Sequence, residues 1–202
     1  MVEDIQSGDS SVDRSIWHSR DRDRWIGVYI GALAVVLAIS AMGGNNAAKT
    51  ATLKNIEVTN TWAFFQAKNL RRQIVRSQIE SLELTLMASS QIDEARKRAL
   101  TDMIAKYRAI EEKLGSDPES GEGLDELFAR GKMLEEERNI AMAKDPYFDY
   151  GQALLQIAIV LASIAIISGR NAFLGLSGLL GGAGVLLTVN GFTLLFTVPW
   201  LS

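Results

Sequence analysis

Charged side chains are missing from three long stretches of the chain, and this feature restricts the possible folds more than any other. The stretches are 25–48, 151–169 and 171–202, with 24, 19 and 32 residues. An uncharged apolar run of about 18 residues or more is typical of a membrane-spanning helix. The sequence therefore predicts an all-α membrane protein with three transmembrane helices, and it excludes an ordinary soluble globular domain.

The uncharged runs divide the chain into six predicted segments. These are a polar N-terminal tail at 1–24, a first transmembrane helix at 25–43, a charged helical hairpin domain at 44–150, a second transmembrane helix at 151–169, a third at 172–196, and a C-terminal tail at 197–202. A secretory signal peptide is the alternative for the first apolar run. Against it, the 24 preceding residues are net acidic, and the run exceeds the usual length of about 7–15 residues.

Aromatic residues flank the apolar runs. Amphipathic rings favour the headgroup layer of a membrane. We therefore predict a set of interfacial anchors: Trp25, Tyr29, Tyr147, Phe148, Tyr150 and Trp200.

The positive charges beside the runs predict an orientation. Four arginines precede the first run, and Arg170 is the only charged residue between the second and third. Since cytoplasmic loops carry an excess of Lys and Arg, we expect the N-terminus and Arg170 in the cytoplasm. The hairpin domain and the C-terminus would then be periplasmic, and the membrane the bacterial inner membrane. Lys49, Lys54 and Lys144 flank the other side and reduce this asymmetry.

The charged segment begins with a long predicted helix, because 47–88 contains neither Pro nor Gly. Apolar and small residues recur along it at helical spacing, which indicates a helix that packs on two sides or an imperfect coiled coil. The first stripe is Leu53, Ile56, Ala63, Ala67, Leu70 and Ile74, with Asn60 and Ser77 as polar interruptions. The second stripe is Val75, Ile79, Leu82 and Leu86.

Two further helices are predicted at 92–114 and 124–143, separated by the turn-rich run 115–123. A first helix of about 45 residues reaches roughly 68 Å, and both shorter helices must run back for the chain to regain the bilayer. We therefore expect an antiparallel hairpin in which 115–123 is a loop inserted into the returning arm. In the alternative, the long helix bends near 59–61 and lies along the membrane surface.

Residues for catalysis or metal binding do not form a recognisable pattern. The chain has no Cys and one His, His18, which has no second ligand at metal spacing. The glycines near position 180 lack the Lys-Ser/Thr ending of a phosphate-binding loop. We accordingly predict no catalytic residue, metal or cofactor, and no enzyme activity. The pI near 5.3 argues against nucleic acid as a partner, while a small-molecule ligand stays an open question.

Pairs of small residues four positions apart occur in all three apolar runs. Such pairs let helix backbones approach closely in lipid, within one chain or between chains. We predict helix packing at Gly27, Gly31, Ala158, Ala162, Ala165, Gly169, Gly178 and Gly182.

Three aromatic residues lie close together in the long helix of the charged segment: Trp62, Phe64 and Phe65. They span about 300° of a helix, so they cannot all face one partner. Two interpretations are open, namely an aromatic layer in the hairpin core and a patch that docks another protein.

The residues 45–49, 55–60 and 62–68, the last reading Trp-Ala-Phe-Phe-Gln-Ala-Lys, resemble the bacterial domain-of-unknown-function family 4337. The resemblance covers about 25–196 and implies one span, a helical segment and two closing spans. The run 115–123 departs from the more continuous returning helix of that family. The family has no assigned activity, so the resemblance implies no catalytic residue.

These observations lead to one functional expectation and one alternative. We expect a non-enzymatic membrane protein, in contact with the lipid bilayer, that acts as a self-associating scaffold or as an accessory subunit of a larger membrane complex. The alternative is a channel or transporter subunit with its pore at the axis of a homo-oligomer.

Overall fold

The computed structural model describes the backbone of residues 3–88 and 93–197 and the side chains of 21–88 and 93–197. Four helices make up this part of the chain: α1 (Glu3–Ala88), α2 (Glu94–Gly115), α3 (Leu124–Ser168) and α4 (Asn171–Thr193). The described residues contain no strand. Three of the helices are long and apolar enough to cross a membrane, by length and composition. The predicted all-α fold with three such helices is therefore confirmed.

The helix ends match the turn signals of the sequence, with two differences. Helix α1 ends at Ala88, α2 ends at Gly115 and α3 begins at Leu124, where a break was expected in each case. However, α3 does not stop near 143 but continues through Pro146 to Ser168. Because α1 and α3 each run unbroken from a charged into an apolar segment, the predicted segment boundaries stay predictions.

The second difference is the end of α4, which lies at Thr193 and not at 196. Leu194 adopts a left-handed conformation with φ 50°. The Asn190 side chain bonds to the chain just beyond: its Nδ2 donates to the Phe196 carbonyl over 2.7 Å, and its Oδ1 accepts from the Phe196 amide over 2.9 Å. A side-chain amide that satisfies backbone groups in this way replaces the helical bonds and ends the helix.

The chain forms two compact units. The first comprises Met1–Lys49 and Ile140–Ser202, and the second comprises Thr50–Asn139. Helices α1 and α3 contribute to both.

In the first unit, α1 and α4 run parallel and α3 runs antiparallel to both. Hydrogen bonds join α1 to α4, or to Gly169 in the connection before it, at separations of 147 or 148 positions, as in Tyr29 to Ser177 and Ser40 to Thr188. Between α3 and α4, Ser177 Oγ donates to the Ala158 carbonyl over 2.6 Å. Gly169, with φ 69°, allows the two-residue connection between these helices.

On the packed faces of α3 and α4, buried positions follow one another in steps of three and four. In α3 this series is Phe148, Gly151, Leu155, Ala158, Ala162 and Ala165, and in α4 it is Ser177, Gly181, Gly184, Thr188 and Gly191. Ala141, Tyr147 and Asn190 are buried as well. A repeat of 3.5 residues keeps one face of each helix against its neighbours and is typical of left-handed helix packing.

In the second unit, α2 and the start of α3 both contact α1. As α1 continues from Lys54 to Arg72, the residues that it contacts in α3 and α2 have progressively lower numbers. Lys54 Nζ lies 2.8 Å from Glu137, the Trp62 ring lies 5.6 Å from that of Phe128, and Arg72 Nε lies 3.8 Å from Glu111. Further along, Val75 and Ile79 form a buried apolar cluster with Ile104 and Leu114.

The loop between α2 and α3 is closed by one carboxylate. Glu126 accepts a hydrogen bond from Ser116 Oγ over 2.7 Å and another from the Asp117 amide over 3.2 Å. These bonds hold the pKa of Glu126 below its ordinary value, the Ser116 hydroxyl having the larger effect. A Cβ at position 123 would clash with Glu126 and the Asp117 backbone, so this tight turn requires Gly123.

Candidate functional site

The small residues predicted to pack between helices divide into two groups. Ala158, Ala162 and Ala165 are buried in the first unit. In contrast, the four glycines Gly27, Gly31, Gly178 and Gly182 are exposed, and a Cβ built on any of them meets no atom within 4 Å. Gly169 lies in the connection before α4. The four exposed glycines therefore make no packing contact within the described chain.

Other glycines make the close contacts between helices. The search for small residues four positions apart did not identify them. A Cβ at position 184 would lie 2.8 Å from Leu155 Cγ, and one at position 191 would lie 2.9 Å from the Phe148 ring. Gly43 and Gly151 are similarly tight, against Phe148 and Thr188. The signal in the sequence was the 3.5-residue repeat of α3 and α4, since it identifies the buried face.

Buried hydroxyls link the three helices of the first unit at two levels. At one, Tyr29 donates to the Ser177 carbonyl over 3.0 Å, and Ser177 donates to the Ala158 carbonyl. At the other, Ser40 and Thr188 lie 3.1 Å apart, and Ser40 Oγ donates to the Phe148 carbonyl over 3.4 Å. Hydrogen bonds of this kind contribute to helix association in lipid.

The predicted interfacial anchors are only partly at the surface. Trp25 and Tyr150 are 75% and 50% exposed. Phe148, predicted as an anchor, is instead buried because it packs against Gly43 and Gly191 and edge-on against the Phe192 ring at 4.8 Å. Tyr147 is buried as well, and its hydroxyl donates to the Phe196 carbonyl. Trp200 lies outside the described residues.

The aromatic residues of the second unit have separate roles. Trp62 packs edge-on against Phe65 at 5.5 Å and against Phe128 at 5.6 Å. Its indole N–H donates to Glu135 over 3.0 Å. The pKa of Glu135 is lowered by hydrogen bonds from Lys132, the larger contribution, and from Trp62. Phe64 points elsewhere and is 44% exposed. Trp62 and Phe65 thus belong to an aromatic cluster with Phe128, and of the three residues in the predicted patch Phe64 is the exposed one.

The first apolar stripe of α1 is uncovered. Its large apolar members, Leu53, Ile56, Leu70 and Ile74, are between 51% and 59% exposed. Ala63 and Ala67 are exposed too. The second stripe is occupied by α2, because Val75 and Ile79 contact Ile104 and Leu114. We call the uncovered positions the outer stripe of α1.

Two acidic residues lie one helical turn apart just before the second predicted span. Asp145 and Asp149 line a cavity of about 320 Å³ together with Pro146 and Tyr150. Burial raises the pKa of Asp145, and the nearby Asp149 carboxylate raises it further. The described residues include no group of three or more His, Cys, Asp or Glu side chains arranged to hold a metal ion, and the side chain of His18 lies outside them.

Three helices able to cross a membrane, joined through glycine contacts and buried hydroxyls, define a multi-span α-helical membrane protein. The chain belongs to the family described as "Domain of unknown function (DUF4337)", whose model matches residues 22–194. The resemblance inferred from residues 45–68 is thereby confirmed. No curated protein and no solved structure matches the chain significantly.

Proposed function

We propose that the protein is a non-enzymatic membrane protein that acts as a self-associating scaffold or as an accessory subunit of a larger membrane complex. The observation that carries the proposal is the outer stripe of α1. An apolar helix face left open in one chain is a surface for another helix, since burial of apolar area is the main favourable term in association.

The outer stripe has the register of a coiled coil. Together with Ser81, Leu84 and Ala88, which continue it, the stripe forms a series of eleven exposed residues in steps of three and four: Leu53, Ile56, Asn60, Ala63, Ala67, Leu70, Ile74, Ser77, Ser81, Leu84 and Ala88. A repeat of 3.5 residues sustained over more than four heptads is typical of a helix that pairs with another helix. The positions on the opposite face, such as Val75 and Ile79, already contact α2.

A second copy of α1 fits this surface. Copies inserted into the membrane in one direction present parallel stripes, so that each position meets its own equivalent. In this register Asn60 and Ile74 are a positions and Leu70 is a d position. Ile at a with Leu at d favours two strands, and one Asn at an a position fixes register at some cost in stability.

The proposal includes the finer architecture expected from the sequence. We infer that the second unit is an antiparallel helical hairpin outside the bilayer, with α1 going out and α2 and α3 returning. The contacts of Lys54, Trp62 and Arg72 support this arrangement, because the residue numbers of their partners fall as α1 proceeds. We also infer an inner-membrane location with the N-terminus and Arg170 in the cytoplasm, on the arginine distribution alone.

Single-cysteine crosslinking tests the parallel pairing. The chain has no Cys, so an introduced thiol reacts without background. Ala67→Cys places it on the outer stripe, and we expect a short bismaleimide to join two chains in membranes. Arg76→Cys is the matched control, because position 76 is exposed and points to another side of the helix than its stripe neighbours Ile74 and Ser77. Among the described residues, Arg76 pairs with the exposed Glu80 at 3.7 Å. Equal crosslinking of the two variants would contradict the pairing.

Mass measurement after gentle detergent extraction tests the wider proposal. We expect a dimer or larger assembly, with or without a co-purifying protein. A strict monomer that brings no partner would count against both the scaffold and the accessory subunit.

A channel or transporter subunit is the second candidate, favoured by the outward-facing glycines. Gly27, Gly31, Gly178 and Gly182 leave small-residue faces that an oligomer axis could use as a pore lining. Flux of ions or solutes into vesicles reconstituted with the protein distinguishes the two functions, because a scaffold produces none.

A further inference from the structure

A groove lies on the surface of the first unit between α1 and α4. Its volume is about 470 Å³, within the range of about 300–1,000 Å³ that ligand sites commonly have. The lining residues are Arg22, Trp25, Ile26, Tyr29, Leu174 and Gly178. Apart from the arginine, the tyrosine hydroxyl and the indole N–H of Trp25, this lining is apolar.

The floor of the groove is fixed, and one wall is missing a side chain. Ile26 is 4% exposed, and the Tyr29 hydroxyl is held by the Ser177 carbonyl at 3.0 Å. At Gly178 a Cβ would meet no atom within 4 Å, so the absence of a side chain there keeps the groove open. From Arg22 to Tyr29 the groove follows α1 for about 10 Å, roughly a third of the hydrocarbon thickness.

Positive charge collects at one end of the groove. Arg22 Nη1 donates to the Gly169 carbonyl over 3.2 Å, and that carbonyl belongs to the peptide bond preceding Arg170. Arg22 shares an ion pair with Asp23 at 3.2 Å. Arg170 is exposed, and its side chain has no ion pair or hydrogen bond with another described residue. Among the described residues at this end, the ion pairs Arg22–Asp23 and Arg24–Asp21 balance one another, so Arg170 leaves one positive charge in excess.

The two ends of the groove suit different parts of a ligand. The apolar walls suit a hydrocarbon chain, and the arginine end suits a phosphate, with which guanidinium groups form charge-assisted bonds. Trp25, 75% exposed at the same end, is a residue type that favours the headgroup layer. A free phosphate would leave the apolar walls unused, and an uncharged hydrocarbon would leave Arg170 unused.

We propose that this groove binds one membrane phospholipid with an anionic headgroup. Its phosphate contacts Arg170 and Arg22, and one acyl chain lies along Ile26 and Tyr29 over Gly178. Basic pockets between membrane helices are known to hold such headgroups. The site does not depend on self-association, because all of its residues belong to the first unit of one chain.

Native mass spectrometry of the full chain in mild detergent tests the proposal. An anionic phospholipid is compared with a zwitterionic one that has the same acyl chains, and inorganic phosphate is added as a competitor. The wild type is expected to retain the anionic lipid in preference, and inorganic phosphate is expected not to displace it. Equal retention of the two lipids, or displacement by phosphate, would overturn the proposal.

Two variants and one matched control locate the site. Gly178→Leu fills the groove and Arg170→Gln removes the charge, and each is expected to weaken binding of the anionic lipid by about tenfold or more. Gly182→Leu places the same side chain one turn further along α4, where a Cβ also meets no atom within 4 Å and which does not line the groove. It is expected to bind lipid as the wild type does. Unchanged binding in both site variants would sink the assignment, as would an equal loss in Gly182→Leu.

Discussion

At the scale of single residues, glycines within α4 differ according to the side of the helix on which they lie. Gly184 faces α3, with the Gly151 carbonyl oxygen 3.0 Å from the position of a Cβ. Gly182 is only two residues away and faces open space. Since small residues let backbones approach closely in lipid, the first kind of glycine sets the distance between helices, and the second kind does not.

We predict that Gly184→Ala destabilises the first unit while Gly182→Ala does not. The added methyl at position 184 would lie 2.8 Å from Leu155 Cγ, and such overpacking costs about 1–3 kcal/mol. Thermal unfolding in detergent, followed by circular dichroism, measures both variants against the wild type. Similar melting temperatures for the two variants would show that α3 and α4 are not in close contact.

Asp145 is a second residue whose surroundings determine its behaviour. Burial and then the neighbouring Asp149 raise its pKa above the ordinary value of 3.8. The folded chain therefore binds this proton more tightly than the unfolded chain does. The stabilisation from Asp145 is present below about pH 3.8 and is lost as the pH rises through the folded-state pKa.

We accordingly predict that Asp145→Asn raises the melting temperature at pH 7, because the uncharged amide avoids the cost of a partly buried carboxylate. The gain should shrink as the pH falls through the raised pKa. Asp102→Asn, at an exposed position of α2, serves as the control. A gain that did not depend on pH would mean that the carboxylate charge is not its cause.

At the scale of helices, α1 has two apolar stripes in the second unit, and the sequence revealed both. Composition and spacing were enough to find them, because helical periodicity is visible without a partner. They could not tell which stripe the chain itself covers, since that depends on where α2 and α3 return. Val75 and Ile79 are covered, whereas Leu70 and Ile74 are not.

The α2–α3 loop is held by a carboxylate, so its stability depends on pH. Glu126 has a pKa below its ordinary value of 4.5, so its contribution to stability is present above that pH and is lost as the pH falls through the lowered value. We predict that Glu126→Gln lowers the melting temperature at pH 7 and that the difference from the wild type narrows below about pH 4.5. Glu119→Gln, an exposed change in the same loop, is expected to have no effect. If Glu126→Gln melts like the wild type at pH 7, the carboxylate does not hold the loop.

At the scale of the whole molecule, the membrane helices could be predicted because the absence of charge is a property of one segment alone. The packing partners were missed, because lipid and a helix interior are similarly apolar and pairs of small residues four positions apart do not distinguish the face that packs from the face that meets lipid. For this reason Gly27 and Gly31 were expected to pack but do so with no described residue. Phe148 is a further example: an aromatic residue near a span end suits either the headgroup layer or the bundle interior, and Phe148 is buried.

The orientation of the chain is a prediction at this same scale. With the N-terminus and Arg170 in the cytoplasm, three crossings place the C-terminus on the opposite side. Alkaline phosphatase fused after Ser202 should then be active, and a fluorescent reporter that matures only in the cytoplasm should stay dark there. An inactive phosphatase and a bright fluorescent reporter would place the C-terminus in the cytoplasm, and the N-terminus and Arg170 on the opposite side.

The short connection between α3 and α4 has a consequence for biosynthesis. Only Gly169 and Arg170 separate the two helices, so neither can be released into lipid far from the other. Because Ser177 donates to the Ala158 carbonyl across this pair, the hydroxyl acquires its partner within the pair itself. We therefore expect the two helices to enter the bilayer together, as a hairpin.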